Sequence, residues 1–116
     1  MELFVRNSGS VTVIQINGTV DGLTADELLQ TMSTQVKDGR SRLVADCTCL
    51  EYTSSAGLRA LLGTVKQARQ QGGDLRLAGV QSPVLKVLEL SGFTTIIKQY
   101  PDVARAVSSY SDQPET

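Results

Sequence analysis

Two short segments at the start of the chain, both rich in apolar residues, predict a pair of strands. Residues 1–7 and 11–17 flank Ser8-Gly9-Ser10, a three-residue loop that is typical of a β-hairpin. The pair Asn17-Gly18 is expected to end the second strand. Further strands are predicted at residues 42–46, 75–78 and 94–99.

Apolar residues spaced by three and four positions predict four helices between and after these strands. The first is expected to begin at Thr24, where Glu27 completes a capping box and Leu23 with Leu28 would form a hydrophobic staple. It is expected to end near Asp38-Gly39. The other three are expected to begin near Ser55, Ser82-Pro83 and Pro101-Asp102.

The predicted order is β-β-α-β-α-β-α-β-α, in which strands alternate with helices after the opening hairpin. This order favours an α/β fold with a largely parallel or mixed sheet and helices packed on it. A chain of 116 residues is long enough to bury one ordinary core. We therefore expect one domain over residues 1–110, followed by a flexible C-terminal tail at 111–116.

Composition and charge narrow the classes of function. Eleven basic and twelve acidic residues give a net charge of −1, which predicts no affinity for nucleic acid or for a membrane surface. No apolar run approaches the roughly 20 residues that cross a bilayer. The first ten residues do not have the pattern of a signal peptide. A cytoplasmic location is therefore expected.

The residues that usually carry catalysis or bind metals are scarce. The chain has no histidine, which excludes Ser-His-Asp and Cys-His catalysis and leaves a zinc site short of ligands. Cys47 and Cys49 are badly placed to bridge to each other and are expected to be free thiols, with a redox role as the minor alternative. We predict no enzyme and no cofactor, and a catalytic pair of Asp21 and Asp46 is the weakest alternative.

The most informative segment is residues 52–63, YTSSAGLRALLG. Ser54 and Ser55 stand where a strand is expected to give way to a helix, whose first N–H groups lack partners. A serine there can simply cap the helix. A phosphoserine would be held by the same amides, or would block whatever docks there.

Several motifs together resemble the STAS family, named for sulfate transporters and anti-sigma factor antagonists. They are Gly18-Thr19-Val20-Asp21, Asp46, the segment 52–59, Gly72-Gly73 and the segment 83–93. The resemblance covers nearly the whole chain and is nearest to the single-domain bacterial antagonists. It implies the STAS fold, a mixed sheet of about five strands with four helices packed on it.

The resemblance also implies a phosphorylation site. In that family a partner kinase, which is also an anti-sigma factor, phosphorylates the serine two residues before the glycine of an Asp-Ser-Ser/Thr-Gly-Leu motif. That serine corresponds to Ser55, because the matching glycine is Gly57. The aspartate of the motif corresponds to Ser54, which is the alternative acceptor, and the second hydroxyl residue corresponds to Ala56.

The partner-binding surface implied by the resemblance surrounds this serine. Asp21 matches an acidic position near the phosphorylation site, although it could also be a simple turn residue. Arg59 follows Ser55 by four positions and could pair with a phosphate there, or could be a solvated helix residue. The complete expected set is Asp21, Thr53, Ser54, Ser55, Ala56, Gly57, Leu58 and Arg59.

The function implied by the resemblance is that of an anti-sigma factor antagonist in a partner-switching pathway. Its unphosphorylated form would bind an anti-sigma factor with serine kinase activity, phosphorylation of Ser55 would release it, and a serine phosphatase would reset it. Two alternatives remain open. One is an unphosphorylated scaffold that docks to a transporter or a signalling complex, and the other is a module that binds a nucleotide or a small apolar ligand.

Overall fold

A computed structural model describes residues 1–111. The strands are β1 (Glu2–Ser8), β2 (Val11–Val20), β3 (Arg42–Asp46), β4 (Leu50–Thr53), β5 (Asp74–Ala78) and β6 (Gln99–Tyr100). The helices are α1 (Ala25–Lys37), α2 (Ser55–Gln70), α3 (Ser82–Leu90) and α4 (Val103–Ser111). The predicted α/β class with a mixed sheet and four helices is confirmed, although the sheet has six strands rather than about five.

The sheet has the order β1-β2-β3-β5-β6, and β4 pairs with β2. Only the β1–β2 pairing is antiparallel among these pairs, as expected for a hairpin followed by helical crossovers. Strand β2 pairs with β3 through residues 12–15 and then with β4 through residues 18–20. Its last residues are thereby brought beside the strand that leads into α2.

The sheet is covered on both faces. Helices α1, α2 and α3 share the larger core, to which β3 contributes Leu43 and Ala45. Helix α4 covers the other face, where Val44 packs with Ala106 and Tyr110. Successive residues of β3 therefore point to opposite cores, as the pleat of a strand requires.

The prediction that β2 ends at Asn17-Gly18 is wrong. Gly18 adopts a φ of 94° and the pairing register shifts between Gly18 and Thr19, so the strand passes through an irregularity and continues to Val20. The continuation exists because β4, which was not predicted, pairs with it. Strand β4 has only four residues, of which Leu50 and Thr53 alone are buried, so its sequence carries little strand signal.

The prediction of a last strand over residues 94–99 is also wrong. Phe93–Thr95 form a 3₁₀ turn, and the strand β6 contains only two residues. The C=O of Ile96 accepts a hydrogen bond of 2.7 Å from Arg69 Nη2 in α2. This tertiary contact, together with burial of Ile97, overrides the β propensity of the local sequence.

The start of α1 differs from the predicted capping box. Thr24 occupies the N-cap position, but its side chain makes no capping hydrogen bond. Leu23 is 90% exposed and so forms no hydrophobic staple. The predicted starts of α2 and α4 and the end of α1 are confirmed, and α3 has Gln81 rather than Ser82 at its N-cap.

Two further predictions concern the C-terminal tail and the possibility of a membrane-spanning segment. Ser111, the first residue of the predicted tail, is the last residue of α4, and residues 112–116 lie outside the described residues. Across residues 1–111, no helix has both the length and the apolar character needed to cross a membrane.

Candidate functional site

The predicted site residues meet at one corner of the sheet, where β2 and β4 end side by side. Val20 and Thr53 are paired in the parallel register, and the N–H of Ser54 donates a hydrogen bond of 2.8 Å to the C=O of Val20. Asp21 follows the first strand and Ser54 follows the second. The sheet therefore brings together residues that are more than thirty positions apart in the sequence.

Ser54 is the N-cap of α2. Its backbone is extended, with φ −79° and ψ 172°, and its Oγ accepts a hydrogen bond of 3.3 Å from the N–H of Gly57. Its C=O accepts from the N–H of Leu58 at 3.1 Å. Ser54 thus fulfils the simple capping role that the sequence left open.

Ser55 differs from Ser54 although the two are adjacent. It is the first residue of α2, and its side chain is exposed. Within residues 1–111 its hydroxyl makes no hydrogen bond, and the N–H groups of Ser55 and Ala56 have no backbone partner. A phosphate here would meet free amides at the positive end of a helix dipole.

Gly57 allows α2 to lie close to the strand ends. A Cβ atom at this position would overlap with Thr53 Oγ1 and would lie 2.9 Å from Val20 Cγ1. The glycine is therefore needed for space, because its φ is not positive. Three of the predicted partner-binding residues, Thr53, Gly57 and Leu58, are buried and pack beneath the surface of the corner. Ser55 and Arg59 are exposed on that surface.

Asp21 closes the turn between β2 and α1. Its Oδ1 accepts hydrogen bonds of 2.9 Å from the N–H groups of Leu23 and Thr24, and of 3.0 Å from the Thr24 hydroxyl. These bonds, those from Thr24 first, hold the pKa of the Asp21 carboxyl below its ordinary value. Asp21 is thus the turn residue that the sequence left open, and it also places an exposed negative charge at the corner.

A shallow cleft of about 250 Å³ lies between the N-terminal ends of α1 and α2. Gly22, Asp26, Ala56 and Arg59 are among the residues that line it. Arg59 makes no ion pair with any of residues 1–111. Sequence reasoning missed Asp26, although an acidic residue in the first turn of a helix beside the motif was a usable signal.

The sequence also raised two other kinds of chemistry, metal binding and thiol reactivity. No cluster of three or more His, Cys, Asp or Glu residues within 1–111 could hold a metal ion. Cys47 and Cys49 are both free, as predicted, and only Cys49 is exposed. Burial, with a smaller contribution from the charge of Asp46, raises the pKa of the Cys47 thiol to about 12. That thiol is therefore unreactive at neutral pH.

Known proteins are similar to this chain over most of its length. A family model described as STAS domain matches residues 3–106. BtrV of Bordetella bronchiseptica, named as a candidate anti-sigma factor antagonist, is 36% identical over 83% of each chain.

Two solved structures have the same fold. The crystal structure of an anti-sigma factor antagonist from Mycobacterium paratuberculosis superimposes with a TM-score of 0.84 at 25% identity, covering 93% of this chain and 92% of that one. The phosphorylated form of the Bacillus cell fate determinant SpoIIAA superimposes with a TM-score of 0.73 at 17% identity, covering 94% and 99%.

Proposed function

Since the chain belongs to the STAS family, we propose that it is an anti-sigma factor antagonist in a partner-switching pathway. Its unphosphorylated form binds an anti-sigma factor that is also a serine kinase, and this binding frees the other client of that kinase. The names of its relatives support the proposal. The domain acts by binding in the cytoplasm rather than by catalysis.

The observation that carries the proposal is the contrast between two adjacent hydroxyls. The Ser54 hydroxyl accepts the N–H of Gly57 and caps α2, whereas the Ser55 hydroxyl is exposed and unbonded within the described chain. A kinase can bring ATP to Ser55 without breaking the cap. The Ser55 oxygen would attack the γ-phosphorus of ATP, its proton would pass to a base of the kinase, and ADP would leave. Ser55 is therefore our proposed acceptor, with Ser54 as the alternative.

Phosphorylation would switch the surface by changing its charge. A phosphoserine adds roughly −1.5 to −2 charges at neutral pH. Asp21, in the turn before α1, and Asp26, in the first turn of α1, already place negative charge beside the N-terminal end of α2. A partner that fits the neutral hydroxyl would have to desolvate this added charge, so its affinity falls and it is released. A separate serine phosphatase would restore the binding form.

Arg59 and Ala56 extend the proposed docking surface along α2. Arg59 is exposed, lines the cleft beside Ala56, and makes no ion pair among the described residues. Its guanidinium can contact an acidic group of the partner in the unphosphorylated state. After phosphorylation the Arg59 guanidinium can instead pair with the phosphate on Ser55, four residues earlier in the helix.

The first experiment identifies the acceptor. The protein is incubated with ATP and an anti-sigma kinase encoded in the same genome, and its intact mass and its peptides are then measured. We expect one added phosphate, on Ser55, and none in Ser55→Ala, while Ser54→Ala is still modified. Phosphate on Ser54 would keep the function and change the acceptor. No modification by any such kinase would favour the scaffold alternative.

The second experiment tests the electrostatic switch by measuring affinity for the kinase. Ser55→Asp adds a charge, and Ser55→Asn adds a side chain of nearly the same shape without one. We expect Ser55→Asp to bind at least about tenfold more weakly than Ser55→Asn, because desolvating one unmatched charge costs more than 1.4 kcal/mol. Equal affinities for the two variants would reject charge as the cause of release.

A further inference from the structure

Strand β1 forms one edge of the sheet, and within residues 1–111 its outer side pairs with no other strand. It pairs with β2 at seven consecutive positions without a register shift. It contains neither proline nor lysine, two residues that often protect an exposed edge. Phe4 and Val5, at its centre, are 50% and 44% exposed. The edge is therefore long, regular and partly apolar.

The sequence of β1 is complementary to itself when two copies run antiparallel. If Phe4 lies opposite Phe4 of the second copy, Leu3 lies opposite Val5, and Glu2 lies opposite Arg6. The two-fold axis makes each of these last two pairs occur twice. Opposite charges and apolar side chains in directly facing positions are the pairs that stabilise antiparallel strands.

The two charged residues have no matching partner within one chain. In the hairpin Glu2 faces Asn17 and Arg6 faces Val13, which are both uncharged. Glu2 and Arg6 are separated by about 13 Å along the strand, which is too far for them to pair with each other. Neither takes part in an ion pair in the part of the chain that the structure describes. A second copy would supply both partners.

We propose that β1 is a homodimerisation edge, through which two copies pair antiparallel about Phe4 and join their six-stranded sheets into one. Phe4 stacks beside its counterpart on one face of the joined sheet, between the two Glu2–Arg6 pairs. Leu3 and Val5 pack against each other on the opposite face. The main-chain groups of the two edges complete the ladder between the copies.

The dimer is compatible with the proposed function but does not depend on it. The two-fold axis passes through the sheet at Phe4, so the helices α1, α2 and α3 of both copies lie on the same face. The corners that carry Ser55 lie at opposite ends of the joined sheet, because the two copies run in opposite directions.

A charge-swap experiment tests the register. The molar mass in solution is measured by sedimentation from micromolar to millimolar protein for the wild type, Glu2→Arg, Arg6→Glu and the double variant. Each single swap places like charges opposite each other twice, so we expect its dimer to dissociate at least about tenfold more readily than the wild type. The double variant should dimerise like the wild type.

A mixture of the two single variants sharpens the test. One copy then presents arginine at both positions and the other presents glutamate at both, so every facing pair is again opposite in charge. We expect the mixture to form a heterodimer under conditions in which neither variant dimerises alone. High salt should weaken the wild-type dimer, because the charged pairs are exposed.

Controls distinguish the loss of the dimer interface from the loss of the fold. Circular dichroism checks that every variant is folded, and Lys66→Glu, an exposed change on α2, should leave the molar mass unchanged. A wild type that stays monomeric at every concentration would overturn the proposal. So would a dimer that is unaffected by both single swaps, or single swaps that neither the double variant nor the mixture rescues.

Discussion

The polar side chains are exposed at one end of the parallel part of the sheet and buried at the other end. At the end where β2 and β4 finish, Ser55 and Asp21 are exposed and the Ser55 hydroxyl has no partner among residues 1–111. At the end where β5 begins, Asp74 and Arg76 are 6% and 1% exposed beneath α4. We call the first end the switch corner and the second, formed by Asp74, Arg76, Arg69 and Tyr110, the ion-pair cluster.

Most polar groups of the ion-pair cluster have hydrogen-bond partners, although Arg76 Nη2 is buried without one among the described residues. Asp74 accepts hydrogen bonds from Arg69 Nε at 2.9 Å and from Arg76 Nε at 3.2 Å. The Arg76 guanidinium lies 4.0 Å from the centre of the Tyr110 ring, and Ser109 accepts from its Nη1 at 2.7 Å. The Tyr110 hydroxyl donates towards the C=O groups of Leu43 and Asp74, and burial raises its pKa.

This difference in burial indicates where a charge can be added or removed without unfolding the protein. A charge added to or removed from the ion-pair cluster would leave a buried charge unmatched and would therefore destabilise the fold. A charge added at the switch corner would face water, so we expect it to cost the fold little. The predictions that follow test this division, beginning with the largest expected effect.

Asp74→Ala should be the most damaging of these changes. It leaves the buried Arg76 guanidinium without its carboxylate, and breaking a buried pair in this way lowers the free energy of unfolding by about 3–5 kcal/mol. Urea unfolding measures the loss. The control is Asp38→Ala, which removes an exposed pair with Arg40 and should change stability by less than about 1 kcal/mol. Similar losses in the two variants would contradict the comparison.

Gly57→Ala should be the most damaging of our changes at the switch corner. Its new Cβ would meet Thr53 Oγ1 and Val20 Cγ1, and such overpacking costs about 1–3 kcal/mol. Gly63→Ala is the matched control in the same helix, because the nearest atom to its Cβ would be Leu29 Cδ1 at an ordinary 3.7 Å. That variant should gain up to about 1 kcal/mol, since alanine favours helix. A stabilised Gly57→Ala would mean that α2 can move away from the strands.

Ser54→Ala and Ser55→Ala should separate capping from signalling. Loss of the Ser54 cap removes the acceptor of the Gly57 N–H and should lower the free energy of unfolding by about 1 kcal/mol. Ser55→Ala should change it by less than about 0.5 kcal/mol, because that hydroxyl makes no hydrogen bond with the described residues. Thermal unfolding of the two variants decides the assignment. The reverse order would make Ser55 the structural residue.

Sequence alone predicted most of the switch corner but none of the ion-pair cluster. The start of α2 followed from its local apolar spacing, whereas Ser55 and Gly57 were assigned through the resemblance of residues 52–59 to the motif of the STAS family. Asp74 and Arg76 lie in a strand whose apolar residues were predicted correctly, yet their burial depends on α4, which follows nearly thirty residues later. A charged residue in a strand is ordinarily expected to face water.

The errors in the predicted sheet have the same origin. Strand β4 is defined by its pairing with the extension of β2 rather than by its own short sequence. Residues 94–97 carry the β-branched pattern of a strand but are held in a turn by the contact between Arg69 and the C=O of Ile96. Periodicity describes how one element meets the core, so it does not report contacts that two distant elements make with each other.

The smallest effect expected is a pH dependence at the switch corner. Asp21→Asn keeps an oxygen that can accept from Leu23 and Thr24 but removes the charge that strengthens those bonds. The pKa of Asp21 is lowered in the folded protein from 3.8, so above that pH the ionised carboxylate contributes stability. As the pH falls through the folded pKa, both states become protonated and the contribution is lost.

The measurement is the urea midpoint of the wild type and of Asp21→Asn, taken from neutral pH downwards. We expect the wild type to be slightly more stable above pH 3.8, with a difference that shrinks at lower pH. All other titrating groups are common to the two proteins, so they largely cancel in this difference. A difference that persists unchanged into strong acid would show that the turn needs the shape of the side chain but not its charge. The charge of Asp21 would then matter little to the fold, whereas the buried charges of the ion-pair cluster stabilise it.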